Sequence, residues 1–463
     1  MIYIELPHSI VKNNVGETAM EEYTKQLYLF KEVSAKKVQA AFDAGQTSSD
    51  GGLLLLRELE ARIGVISRVA SVIRDYRHPG YIEHSVEDLL KQRVFQIASG
   101  YEDGNDCDWL RDDPAMKIAC EKLPDDEHVL ASQPTMCRFE NAPSRTDLYR
   151  IGAAILDVFI DSYLQAPKAI ILDIDDTCDQ IHGAQQLSLF NAFHDTHCFL
   201  PIHIYEGQSG KLVTAILRPG KRPNGKEVAM IFKRLIKKIK RTWPRVQIII
   251  RGDSHYASPE IMDLCEANNI HYIFGLTPNK KTMAAAQNIM ATALSLFQRS
   301  GKPTKLYSEF SYQAGTWSKA RRVIVKAEHN HIGSNTRFIV TNIHQAWRKF
   351  LYEKLYCGRG MMELYIKEHK NHLASDRTSC SEFAANQFRL FLHSLAYILM
   401  HTLRTKYLTH TQWANAQFNT IRNKLLKIGI EVRCLATRVK ISMPSSYPYQ
   451  KEFYQAWSAV CTP

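Results

Sequence analysis

The sequence predicts an α/β protein: a helical N-terminal region, then a mixed sheet with acids at its strand ends, interrupted by a β-rich insertion. Three observations predict this. From residue 47 to about 140, apolar side chains recur at helical spacing. From residue 168 to 275, apolar strand runs alternate with amphipathic helices, and two of those runs end in aspartate. About a hundred residues then separate Asp253 from Glu363, far more than one helix and one strand would need, and that stretch reads as strands.

The N-terminal elements follow from local signals. Residues 1 to about 45 show no strong period; Lys31, Lys36 and Lys37 suit either an arm on a polyanion or a solvated surface. Thr47-Ser-Ser-Asp50 supplies capping candidates ahead of Leu53 to Leu56, Leu59, Ile63, Val65 and Ile66. Ser85 and Asp88 have capping-box spacing ahead of a helix that carries Leu89, Leu90, Val94 and Ile97 inward and ends at Gly100. Trp109 to Ala119 and Thr135 to Glu140 are also helical, so the region to about 145 is expected to be all-helical. It contains no sharp helix-turn-helix signature, and DNA binding, a lid or dimerisation all suit it.

The central stretch carries the chemistry. Lys168 to Thr177 is a buried-strand run ending in Asp173, Asp175 and Asp176, the place where open α/β sheets hold their sites. Leu200 to Tyr205 and Lys211 to Leu217, joined by the Gly207-Gln-Ser-Gly210 turn, complete an antiparallel meander. Phe232, Leu235, Ile236, Ile239 and Trp243 then mark one face of a helix whose other face is Lys- and Arg-rich. Val246 to Asp253 is a fourth strand, Pro259 to Ala267 a helix, and His271 to Gly275 a fifth strand. This order suits an RNase H-like sheet. There the first and fourth strands are neighbours, which would bring Asp175 close to Asp253. Two such carboxylates can hold two divalent ions, and hard oxygen ligands favour Mg²⁺ or Mn²⁺. For any one of these aspartates, capping a strand end or loop is the plain alternative.

The third acid is expected on Tyr356-Cys-Gly-Arg359-Gly-Met-Met-Glu363-Leu-Tyr-Ile-Lys367-Glu-His-Lys370. At roughly 100° per residue, Tyr356, Arg359, Lys367 and Lys370 fall within about 40° of Glu363. Such a stripe would clamp a phosphate backbone beside a metal-holding acid; a solvated helix with i,i+4 ion pairs is the plain alternative. Gly358 and Gly360 suggest that the helix starts near Gly360, leaving Tyr356 and Arg359 on the loop leading in. Lys305 to Ala314, Arg321 to Ala327 and Thr336 to Ile343 read as the strands of the insertion, and Phe383 to Leu403 as a long core helix.

Composition bounds the function. The chain has 463 residues, room for two or three domains, and a formal net charge of +12 spread over several segments, which favours a nucleic-acid partner. Ten scattered cysteines form no C-x-x-C pair, and no secretory leader is evident, so reduced thiols and a cytosolic protein are expected. The most apolar stretch, Phe388 to Leu403, is broken by Arg389, His393 and His401 and is too short to span a bilayer.

With these residues in hand, the chain resembles a DDE-type insertion-sequence transposase, specifically the insertion-sequence 1380 family. Tyr356, Arg359, Glu363 and Lys370 match the Y-(2)-R-(3)-E-(6)-K signature of the wider group. Leu172-Asp-Ile-Asp-Asp-Thr177, His182-Gly183-Ala-Gln185, Leu217-Arg218-Pro219-Gly220 and Arg251-Gly-Asp253-Ser254 resemble the family in order and spacing, from about Gly45 to Lys440. The resemblance implies metal-dependent cleavage at transposon ends and strand transfer, with a hairpin on the transposon end in YREK-type relatives. By position it implies the acids Asp175, Asp253 and Glu363 holding two Mg²⁺ or Mn²⁺ ions. Asp175 is chosen because relatives show Asp-x-Thr at this strand end; Asp173 and Asp176 remain rivals. The resemblance further implies that Tyr356, Arg359 and Lys370 meet DNA phosphates. Lys367 joins them on the basic stripe. Trp317, in the insertion, either stacks on an everted base or packs internally. Double-stranded DNA is the expected partner, bound by a homodimer in the bacterial cytoplasm at the nucleoid.

The expected segments are 1–145, helical, for DNA binding or dimerisation; 146–276 and 346–408, the two parts of the core; 277–345, the β-rich insertion; and 409–463, a basic tail whose aromatic stretch Tyr447 to Trp457 has no role legible in the sequence. Two other functions fit part of the pattern. Asp173-Ile-Asp175-Asp176-Thr177 matches the D-x-D-x-T loop of haloacid-dehalogenase-like phosphatases, with Asp173 as nucleophile and Asp175 as acid/base. However, a meander follows the loop where that fold needs a crossover helix. A catalytically silent DNA-binding protein descended from a transposase is the other, although all three acids are intact.

Overall fold

The computed structural model describes residues 26–127 and 129–461. The first 25 residues of the expected N-terminal region lie outside it. Eight strands form one mixed sheet: β1 (Ala169–Asp176), β2 (Ile202–Glu206), β3 (Leu212–Ile216), β4 (Gln247–Gly252), β5 (His271–Leu276), β6 (Thr304–Tyr312), β7 (Arg321–Asn330) and β8 (Gly333–Thr341). Their spatial order is β6-β7-β8-β5-β4-β1-β2-β3. The β1, β2 and β3 meander is antiparallel, β4 runs parallel to both β1 and β5, and β8 pairs antiparallel with β5. The Gly207 to Gly210 turn joins β2 to β3. Gly210 has φ of 73°, and a Cβ there would meet the Tyr365 ring at 2.7 Å, so both backbone and space require glycine.

Alternation at period two divides the sheet. Ile170, Leu172 and Ile174 of β1, Ile248 and Ile250 of β4, and Tyr272 and Phe274 of β5 face one apolar core, with α4 (Gly225–Thr242) and α5 (Pro259–Ala267) packed over them. The other face carries Asp173, Asp175, Arg251 and Tyr205. It lies under a helical stretch from Arg348 to His372 and, beyond it, under α8 (Phe383–Thr402).

The strands expected in the insertion are present, with bounds that differ by a few residues. They continue the central sheet through β8. A helix with no counterpart among the expected elements, α6 (Gln287–Ser300), lies against β6 and β7. Between β1 and β2 the chain also folds a small sheet of Asp179–Gln180, Leu189–Asn191 and Thr196–Phe199.

The N-terminal region is not helical throughout: Tyr28–Val33 and Lys36–Ala40 form a largely exposed hairpin, and Thr47–Ser48 pairs with Ile430–Leu435 near the other end of the chain. Its helices include α1 (Leu53–Ile63), α2 (Val86–Ser99) and α3 (Arg145–Asp161). The Ser85/Asp88 capping box forms as the sequence implies. The expected cap of α1 does not, because Gly52 takes the N-cap position. Asp50 instead accepts from Tyr101 at 2.7 Å and pairs with Lys427 at 2.7 Å, locking the two ends of the chain together. Leu55, Leu59, Leu90 and Val94 share one core with Phe388, Leu395 and Leu399 of α8 and with Ala456 of α9 (Gln450–Cys461). The aromatic tail is thus a helix packed on α1. Among the described residues, no helix is long and apolar enough to cross a membrane.

Candidate active site

The parallel β1–β4 pairing builds the site. Its register sets Arg251 opposite Asp173 and Gly252 opposite Ile174, so Asp253, directly after β4, follows on beside Asp175. Period two then sorts the three rival aspartates. Asp173 is fully buried, and both its oxygens accept from Arg251, at 2.5 and 2.6 Å. Asp176 points to the opposite face and accepts from the buried Tyr256 hydroxyl at 2.7 Å. Asp175 stays available, with the Arg359 guanidinium 2.8 Å from its Oδ2. Burial pushes the Asp175 carboxyl up to about 7; Arg359 pulls it back, while the charges of Asp253 and Asp176 add to the rise. Asp253 caps the short Ser254–Tyr256 turn, accepting from the His255 backbone at 2.8 Å, and its other oxygen lies 2.9 Å from His255 Nδ1.

The helix above the site differs from the one expected. Its α-helical part starts at Gly360 as expected, but Tyr356 and Arg359 lie on helical turns leading into it and not on a loop. The chain is helical from Arg348 to His372, with π-helical turns at Leu351–Tyr356 and Glu368–His372, a tight 3₁₀ turn at Cys357–Arg359, and α7 (Gly360–Lys367) between them. Gly358 sits inside the helix because a Cβ there would come within 2.7 Å of Arg251 Nη1. The π and 3₁₀ turns break the uniform 100° spacing, and the single stripe separates into two sets. Tyr356, Arg359 and Lys370 turn toward the sheet and are half-buried, whereas Glu363 and Lys367 are exposed.

Tyr356 lies over the end of β5, where a Cβ on Gly275 would meet its hydroxyl at 2.7 Å. Burial raises its phenol pKa; Arg359 opposes the rise and Asp253 adds to it. Lys370 donates to the Cys178 carbonyl and stands 3.6 Å from Asp179. Trp317 is only 6 % exposed, in a T-shaped contact with the Tyr312 ring and with the Arg321 guanidinium 5.5 Å from its ring centroid, which favours internal packing over stacking on a base.

The structure therefore brings Asp175, Asp253, Tyr356 and Arg359 together. Glu363, one turn beyond Arg359, makes no hydrogen bond or ion pair among the described residues. Nor do any three His, Cys, Asp or Glu side chains among those residues stand close enough together to hold a metal ion. The Asp175 and Asp253 pair fits a divalent cation in its chemistry: one carboxylate is buried, and the neighbouring acids raise its pKa. Of the acids on the helix above them, Glu353 accepts from Tyr307 and Glu368 from Arg404, which leaves Glu363.

Two polar groups on the same face have no role that the sequence assigns. Arg251 is legible there only as part of the Arg251-Gly-Asp253-Ser254 motif. His203, opposite Asp175 in the β1–β2 register, is fully buried, both its ring nitrogens lack a partner, and burial pushes its pKa down to about 3.

These features define a site on the sheet face at the ends of two parallel strands, and a family comparison assigns its class. The chain matches the family model described as Transposase DDE domain group 1 over residues 30–462, and it belongs to that family. Among solved structures it is similar to piggyBac transposase in a synaptic complex with hairpin DNA. The identity is 9 % and the TM-score 0.40, over 82 % of this chain and 80 % of that one. No curated protein matches the chain. Family membership and the meander after β1 set aside the phosphatase reading, and Asp173, sealed against Arg251, is no nucleophile.

Proposed function

We propose that this chain is a cut-and-paste transposase that cleaves DNA at terminal inverted repeats through a hairpin and joins the freed ends to target DNA. The observation that carries the proposal is the β1–β4 register, which sets Asp175 and Asp253 side by side, together with Arg359 on Asp175. The strand order β3-β2-β1-β4-β5 supports an RNase H-like core, and the Y-R-E-K spacing supports the insertion-sequence 1380 family.

In this reading Asp175 and Asp253 would hold divalent Mg²⁺ or Mn²⁺, with Glu363 completing the set only once it turns in toward them; two such ions would supply Lewis-acid activation of water and charge stabilisation for the leaving 3′ oxygen. Glu363 is free to serve because nothing else holds it. Arg359 is partly desolvated, so its guanidinium is ready to exchange Asp175 for a phosphate with little reorganisation. Tyr356 donates to a phosphate oxygen, because burial keeps its phenol protonated. Lys367, exposed on the same helix, neutralises the backbone further out. Lys370 acts from below, holding the turn after β1. Binding duplex ends implies a homodimer on DNA, working at the bacterial nucleoid in the cytoplasm, and strong salt dependence.

The test is incubation of the purified protein with duplexes carrying its element's ends and Mg²⁺, comparing wild type with Asp175→Asn, Asp253→Asn and Glu363→Ala. Lost cleavage with retained DNA binding is the expected result in all three. Cleavage by Glu363→Ala at the wild-type rate would remove that residue from the site, and wild-type cleavage by Asp175→Asn or Asp253→Asn would end the proposal.

A further inference from the structure

Three segments that build the site converge on one guanidinium. Arg251 precedes Asp253 by two residues and shares its face of the sheet. Its Nε and Nη2 donate to both oxygens of Asp173, at 2.5 and 2.6 Å, and Asp173 precedes Asp175 by two residues. Its Nη1 donates to the Leu355 carbonyl at 2.5 Å, next to Tyr356 and one turn before Arg359. Arg251 is 3 % exposed and Asp173 fully buried, so neither can touch DNA. Two glycines close the compartment. A Cβ at Gly207 would come within 2.5 Å of both Arg251 Nη2 and Asp173 Oδ2, and one at Gly358 within 2.7 Å of Arg251 Nη1.

We infer that Arg251 is a positioning residue for DNA cleavage: its buried guanidinium sets the strand ends bearing Asp175 and Asp253 against the helix bearing Tyr356, Arg359 and Glu363. The inference rests on the function proposed above. An ion pair serving the sheet alone would need only Asp173, whereas the third bond crosses to the helix layer. The planar fork can hold a carboxylate on one side and a carbonyl on another at fixed angles. A lysine ammonium has neither the reach nor the shape to do both.

Removing Arg251 alone would strand a buried carboxylate and destabilise the protein for an unrelated reason. The informative variant is therefore the double Asp173→Asn/Arg251→Gln. It leaves no buried charge and keeps an amide pair between β1 and β4, but the shorter Gln cannot reach Leu355. With the full chain, end duplexes and Mg²⁺, three quantities are read: single-turnover cleavage rate, DNA-end affinity and hydrogen exchange. The double variant is expected to bind ends within about threefold of wild type. Its cleavage should fall on the order of 100-fold, as a misplacement of about 1 Å commonly causes. Exchange should quicken in residues 348–360 while the sheet strands keep their protection. Arg251→Lys, which retains the charge for Asp173, is expected to fall between the two.

Cleavage by the double variant at the wild-type rate would overturn the inference, as would slowed cleavage with exchange raised equally throughout the sheet. If the double variant fails to fold, Arg251→Lys decides, and wild-type cleavage by it overturns the inference. Asp253→Asn in the same assay separates the two readings. If it cleaves like wild type, the proposed function fails; if it is inactive while the double variant is fully active, only the role of Arg251 fails.

Discussion

Replacing Asp179 by Asn isolates the cost of a carboxylate placed where water cannot reach it. Asp179 is 1 % exposed, neither of its oxygens has a hydrogen-bond partner, and the Lys370 ammonium stays 3.6 Å away. Burial therefore wins and pushes the carboxyl up to about 8, with Lys370 pulling it down and Asp376 adding to the rise. In the unfolded chain the same group titrates near 3.8. Between those two values the folded protein keeps a proton that the unfolded chain has lost, so stability falls as pH rises. Each pH unit costs about 1.4 kcal/mol; by pH 7 the sum is about 4 kcal/mol, which local relaxation reduces to about 2–4 kcal/mol. Asn carries the same shape and does not titrate. In urea unfolding followed by circular dichroism at pH 5, 6, 7, 8 and 9, the advantage of Asp179→Asn over wild type should grow steadily to pH 8 and then level off. Other raised acids, such as Glu60 at about 7, are common to both proteins and cancel. A difference that stays flat from pH 5 to 8, or shrinks with pH, would refute the reasoning.

One further outcome follows from the site and one from the insertion. Arg359→Ala removes the cation that holds the Asp175 carboxyl down, so the acid limb of the cleavage–pH profile should move up by about one unit, whereas Arg359→Lys should leave it near the wild-type position; a pH–rate series from 6 to 9.5 in which the Ala limb does not move would contradict the pairing. Trp317→Ala should cost about 3–5 kcal/mol in chemical denaturation while DNA-end affinity stays within about twofold, as the loss of a buried packing ring requires; weakened DNA binding at unchanged stability would return Trp317 to the DNA interface.

Local signals made much of the fold legible. The β-branched runs at 169–176 and 247–252 announced their strands, the turn from Gly207 to Gly210 announced the meander, and the Ser85/Asp88 spacing announced a capped helix. The helix α6 carries little buried apolar surface to mark it, since of its residues only Ala293 is buried. The interlock of the chain ends was also out of reach: Thr47–Ser48 pairs with Ile430–Leu435 across nearly the whole sequence, and neither partner reveals the other.

The site divides in the same way. The sequence by itself determined that Asp173 and Asp175 share one face of a strand and Asp176 takes the other, because side-chain direction alternates with a period of two whatever the surroundings. It also determined the order of the acids along the chain. Only the tertiary structure decided which acid stays available. Asp173 meets Arg251 78 positions away, and Asp175 meets Arg359 184 positions away. Tertiary packing likewise reset the helix above the acids. Arg251 fills the space that a side chain at position 358 would need, and the 3₁₀ turn at Cys357–Arg359 and the π-helical turn at Glu368–His372 interrupt the uniform spacing on either side of Glu363 and Lys367. Contacts between distant segments depend on the whole assembled core, which no local window of residues contains.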